Sequence, residues 1–107
     1  DAGFYVGQCD PCRTVLRRLV AENNALGYSG TNASGELYIL SSVWRNNMAG
    51  IVPNTLDTEL LPPQGDNVIR ANLVADNGNL SAPAKGISWP AFGNGILVAG
   101  GVDNLIE

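Results

Sequence analysis

Two cysteines separated by two residues, Cys9-Asp10-Pro11-Cys12, constrain this chain more than any other feature. They follow a short apolar run bounded by glycines, Gly3 to Gly7 with Phe4, Tyr5 and Val6 inside it, which reads as a buried strand. Behind them apolar residues recur at Cys12, Val15, Leu16, Leu19 and Val20, with Arg13, Arg17, Arg18 and Glu22 between, which is helical spacing. Pro11 suits a first helical position and Gly27 a stop. The expected unit is therefore a strand running into a helix, with the cysteine pair at the helix start. There, free backbone N–H groups and the positive end of the helix dipole favour a thiolate. On this reading Cys9 is the nucleophile and Cys12 the resolving thiol that attacks a mixed disulfide. The Asp10 carboxylate beside them opposes a second negative charge.

The rest of the chain supplies weaker signals. Tyr28 to Gly35 is polar and reads as a loop, Glu36 to Leu40 as a strand, and Ser41 or Ser42 as the cap of a short helix to about Ala49. Pro53, Pro62 and Pro63 make an extended or irregular stretch, so residues 28–85 include a long segment without an assigned role. Asn67 to Ala75 alternates as one strand, followed by the turn Asp76-Asn77-Gly78-Asn79. Gly93-Asn94-Gly95 reads as a hairpin turn, Ile96 to Ala99 as a strand, and Val102 to Glu107 as the beginning of a helix. No internal repeat is read. These elements give an α/β single domain, residues 1–107, with a small mixed sheet and flanking helices.

Composition removes several classes of function. The net charge of -4 argues against nucleic-acid binding. Apolar runs such as Gly95 to Gly101 fall far short of the ~20 residues of a membrane span, so neither nucleic acid nor membrane is expected as a partner. With no histidine, Ser-His and Cys-His nucleophile pairs and histidine-ligated metal sites are excluded within the chain. Two cysteines alone complete no four-thiolate zinc site, and no resident metal is expected. The pair is left as a local disulfide, a redox dithiol or half of a metal site shared between chains. The chain begins at Asp1 rather than Met, which is compatible with processing.

Phe4-Tyr5-Val6-Gly7-Gln8-Cys9-Asp10-Pro11-Cys12-Arg13 resembles the glutaredoxins, a thioredoxin-fold family of thiol-disulfide oxidoreductases. Ser88-Trp89-Pro90 is similar to the family's cis-proline tripeptide, and Gly100-Gly101-Val102-Asp103-Asn104-Leu105 to its Gly-Gly-x-Asp-Asp-Leu segment. The resemblance implies a thioredoxin-like fold and thiol-disulfide exchange at Cys9 and Cys12, with Pro90 shaping the substrate face. It also implies that Trp89 offers its backbone to the bound thiol compound, and that Val102 and Asp103 hold the glutamyl end of glutathione. Glutathione is then the co-substrate, with a protein disulfide as the other possible partner, and the setting is cytoplasmic. The interval from Cys12 to Pro90 exceeds the family's, which implies a large insertion. Val6 and Gln8 stand near the position where the family usually has a basic residue. Pro53 in Gly50-Ile51-Val52-Pro53 is a competing cis-proline position.

A reading of another class fits the same composition. Asparagine, glycine, alanine and small apolar residues with few charges suit a structural or assembly subunit of a virion, filament or surface layer. Cys9–Cys12 is then a local disulfide, residues 50–64 an arm reaching a neighbouring subunit, and the expected partner a second copy. Asn32-Ala33-Ser34 and Asn79-Leu80-Ser81 match the N-glycosylation pattern, which a chain this rich in asparagine produces by chance. Asp57 and Glu59 read as a solvated pair, and Trp44 as a core or interface aromatic.

Overall fold

In the computed structural model, which describes residues 1–107, single residues in the left-handed conformation divide the chain into short strands. Arg13, Glu36, Asp66 and Asp103 form one such column of corners, with φ between 50° and 54°. Arg18, Ser41 and Ala71 form a second, and Asn23, Asn46 and Asp76 a third. Each corner swings the chain onto a new face, and the strands between are too short for anything but stacking. They are β1 (Ala2–Tyr5), β2 (Thr14–Arg17), β3 (Val20–Glu22), β4 (Leu26–Thr31), β5 (Leu37–Leu40), β6 (Val43–Arg45), β7 (Ala49–Asn54), β8 (Asn67–Arg70), β9 (Leu73–Ala75) and β10 (Leu105–Ile106).

All pairing is parallel. The strands form three sheets, ordered β1-β4-β7, β2-β5-β8-β10 and β3-β6-β9. One coil of chain contributes one strand to each sheet, and coils stack with Thr14 on Leu37, Leu37 on Asn67 and Val20 on Val43. This is a three-faced parallel β-solenoid, and it replaces the expected α/β thioredoxin-like arrangement. The only helical element is a 3-10 segment, Gly86–Ala91.

The lumen holds the larger core. Tyr28, Leu37, Ile39, Trp44, Ile51 and Ile69 are fully enclosed, and Phe4, Cys9, Cys12, Leu16 and Ile96 pack against them. Trp44 meets Phe4 and Tyr28 edge-on at centroid distances of 6.0 and 6.3 Å. Buried aromatic and branched side chains of this kind contribute roughly 1.5–3 kcal/mol each.

Polar side chains close the corners by hydrogen-bonding to the neighbouring coil. The Asn47 carbonyl oxygen accepts from the Asn24 backbone N–H at 3.0 Å, and the Asn77 carbonyl oxygen accepts from the Asn47 N–H at 3.1 Å. Their amide nitrogens donate to backbone oxygens of the coil below, Asn47 to Ala21 and Asn77 to Trp44, both at 3.0 Å. At the second corner Ser42 accepts from Leu19 N–H, and Asn72 accepts from Ser42 N–H and from the Trp44 indole N–H. Backbone groups that a turn would leave unpaired are thereby satisfied inside the stack.

The expected helix from Cys12 to Gly27 is instead β2, β3 and the start of β4. Of its apolar set only Cys12 and Leu16 pack on the core, while Val15 and Val20 stand 58% and 56% exposed. An alternating pattern interrupted by the corner at Arg18 slips by one face, and so imitates a spacing of three to four residues. The expected helix after Ser42 is likewise β6 and a corner, and the segment 102–107 contains β10 rather than a helix. Asn67 to Ala75 is two strands broken at Ala71, and Tyr28 to Thr31 lies buried in β4 rather than in a loop. Residues 50–54 of the expected irregular middle are in β7. Gly93-Asn94-Gly95 leads into a segment that runs parallel to β7 through Ile51–Ile96 and Asn54–Ala99 bridges, so it makes no hairpin.

Candidate functional site

Two excursions interrupt the otherwise even coils, and both leave beside the outer face of the β1-β4-β7 sheet. Equivalent positions are 23 residues apart from Val43 back to Val20 but 30 apart from Leu73 back to Val43, because residues 55–63 loop out after β7. The second excursion, residues 78–92, contains the 3-10 segment. Asn32 anchors the first, donating to the Leu56 and Leu60 carbonyls at 2.8 and 2.9 Å and accepting from Leu56 N–H at 3.0 Å. Asn47 O anchors the second, accepting from Gly78 N–H and Asn79 N–H.

Between these excursions lies a groove of about 380 Å³. Its floor is the outward side of the sheet, with Ser29 level with Val52 and Thr31 level with Asn54 and then Ala99. Leu56 stands on one side, and Ile87 and Pro90 on the other. The floor's polar groups bond to each other. Thr31 Oγ1 donates to Asn54 Oδ1 at 2.8 Å, and Asn54 Nδ2 donates to Ser29 Oγ at 3.2 Å. Asp1 carries the only side-chain carboxylate in the lining. The lining side chains include no cysteine, lysine or histidine.

The cysteine pair occupies another place. Cys9 and Cys12 form a disulfide across the bend between β1 and β2, with Cα atoms 4.8 Å apart. Both side chains are half-buried against the luminal core. The Cys12 sulfur lies 3.1 Å from the Cys9 carbonyl oxygen, a contact in which the oxidised sulfur has no proton to donate. The Cys9 N–H donates to Asn32 O, and the Cys12 N–H to Ser34 O and Gly35 O. Inter-coil bonds thus occupy the backbone donors that a helix start would have left for a thiolate. Gly35 sits beside this bend at φ +66°, and a Cβ there would come within 3.0 Å of Asp10 Oδ1. The Arg13 guanidinium lies 3.5 Å from Glu36, on the exposed side.

The remaining expected site residues are distributed over the molecule. Pro90 lines the groove, and Trp89 beside it stands exposed with its ring 5.8 Å from that of Phe92. The cis peptide bonds are Asp10-Pro11 and Pro62-Pro63, so the bonds before Pro53 and Pro90 are trans. Val102 pairs with Gly65, and Asp103 follows it in the corner column above Arg13, Glu36 and Asp66. Cys12, Gly35, Gly65 and Val102 occupy successive coils. Three inter-coil steps of about 4.8 Å put Val102 some 14 Å from Cys12 along the solenoid axis.

Asn32 is fully buried with its amide oxygen and nitrogen both bonded, so the Asn32-Ala33-Ser34 tripeptide is closed to a glycan in the folded chain. Sequence reading missed Ser29, Thr31 and Asn54, which lay in segments read as loop and irregular chain. A signal was present. Thr14 to Asn24, Leu37 to Asn47 and Asn67 to Asn77 align without gaps, each ending in Asn-Asn or Asp-Asn three residues after a Val or Leu. No family model, curated protein or solved structure matches the chain.

Proposed function

We propose that this chain is a non-enzymatic assembly module, a β-solenoid that associates through an outer face and uses Cys9–Cys12 as a local staple. The observation that carries this reading is an apolar stripe on the outside of the four-stranded sheet. Val15, Tyr38, Val68 and Leu105 lie in one register row, one from each strand. Val15, Tyr38 and Leu105 are 58%, 39% and 45% exposed, and a contiguous apolar patch on a soluble face marks an interaction site.

The partner this face fits is a second copy with its axis reversed. Charge along the face runs from Arg17 in β2 to Asp103 at the corner before β10, while Arg13 pairs with Glu36 and Arg70 with Glu107 on the same chain. Reversal brings basic ends to acidic ends, and also sets Glu36 near Asp66, a like-charged contact that salt screens. Sedimentation velocity across a concentration series tests the reading. The wild-type chain is expected to self-associate, and Tyr38→Lys to shift the equilibrium toward monomer by at least roughly tenfold, equivalent to ~1.4 kcal/mol. A wild-type chain that stays monomeric at every concentration contradicts it.

Thiol-disulfide exchange is the second reading, and the partial exposure of both cysteines favours it. In that case a thiol such as glutathione attacks the Cys9–Cys12 bond. It forms one mixed disulfide while the other cysteine leaves as thiolate, and a second glutathione thiolate then attacks the mixed disulfide, releasing oxidised glutathione and the second cysteine thiolate.

A further inference from the structure

We infer that Asn94-Gly95 is a site of spontaneous deamidation in the folded protein, while the chain's other Asn-Gly pair, Asn77-Gly78, is protected by the solenoid. The reaction needs no enzyme. The glycine nitrogen attacks the preceding Asn Cγ and loses its proton as the new C–N bond forms. The side-chain nitrogen departs as ammonia, leaving a succinimide. Water then opens either carbonyl of that ring, giving aspartate or isoaspartate, with no change of oxidation state. Two conditions govern the rate: the attacking N–H must be free of an acceptor, and the amide must be free to turn toward it.

Asn77 meets neither condition. Its carbonyl oxygen accepts from Asn47 N–H at 3.1 Å and from Asn47 Nδ2 at 3.2 Å, and its amide nitrogen donates to Trp44 O at 3.0 Å. The attacking nitrogen, on Gly78, donates to Asn47 O at 2.8 Å. The corner ladder thus holds both reacting groups.

Asn94 is held by a single side-chain bond, from its Nδ2 to Ala91 O at 3.0 Å. Its side-chain Oδ1 accepts none, and the Gly95 N–H donates to no acceptor. Both residues are half-buried, so water reaches them. The product has a structural consequence. The Asn94 and Gly95 carbonyls accept from Gly50 N–H at 3.0 Å and Ile51 N–H at 2.8 Å. Isoaspartate inserts a methylene into the main chain at that point, which disturbs the pairing of residues 94–97 with β7. Leu97 lines the groove, so the change alters its floor.

Peptide mapping by mass spectrometry, after incubating the folded chain at mildly alkaline pH, tests this directly. Deamidation is expected at Asn94 at least roughly tenfold faster than at Asn77, a difference of ~1.4 kcal/mol in barrier. In urea the two rates are expected to converge, and Gly95→Ala to slow the reaction at residue 94. Equal rates in the folded chain, or an Asn94 that reacts only in urea, overturns the assignment.

Discussion

Tyr28 shows how a single side chain sits in this fold at a cost. Its ring is fully buried beneath Trp44, yet its hydroxyl has no hydrogen-bond partner. Burying an unpaired hydroxyl costs roughly 1–3 kcal/mol on protein scales. Burial first, and then the nearby Tyr5, pushes the Tyr28 phenol above its ordinary value. The unfolded chain therefore loses this proton near pH ~10 while the folded chain keeps it. Below that pH the group has no effect on the pH dependence, and stability falls as pH rises above it. Tyr28→Phe is expected to leave stability at pH 7 unchanged or raised, and to flatten the alkaline decline. Thermal melts of both proteins between neutral pH and the alkaline limit measure it, and a loss of more than ~1 kcal/mol at neutral pH would reveal a partner for the hydroxyl.

At the scale of elements, the corners explain both the fold and the difficulty of reading it. β1 and β5 were legible because each is a short apolar run between polar or glycine boundaries. The Cys12 to Gly27 segment was not, because its corners at Arg13 and Arg18 are residues that seldom adopt a left-handed conformation. Nothing in Arg18 announces a left-handed φ, and the inter-coil bond beside it, from Leu19 N–H to Ser42 Oγ, is made only in the stack. Asparagine was the informative residue, and its abundance pointed only to a composition suited to an assembly subunit. Asn47 is enclosed, accepting from Asn24 and donating to Ala21 and Asn77. Asn47→Ala removes those bonds and leaves buried partners unpaired, with an expected loss of about 2–3 kcal/mol. Urea denaturation measures this, and a change under about 0.5 kcal/mol would mean the ladder contributes little.

The whole molecule is a short stack whose coils touch only their neighbours, so local features act on a small cooperative unit. Its extents are 34 × 30 × 17 Å, and three inter-coil steps of about 4.8 Å fit the shortest of them. On this scale the candidate site was legible in one part. The Cys9–Cys12 pair is present and bonded, but it closes a bend between strands rather than heading a helix. The groove was invisible to sequence because it is made by coil stacking, which brings Ser29, Asn54 and Ala99 together across 70 residues of chain. That architecture removes the helix dipole that would have stabilised a Cys9 thiolate. The central claim, that the pair is a staple, is tested most directly by its equilibrium across glutathione redox buffers, read by thiol alkylation. A staple is expected to stay oxidised below about -300 mV, and a reversible midpoint between roughly -120 and -270 mV would contradict the account and identify a working dithiol.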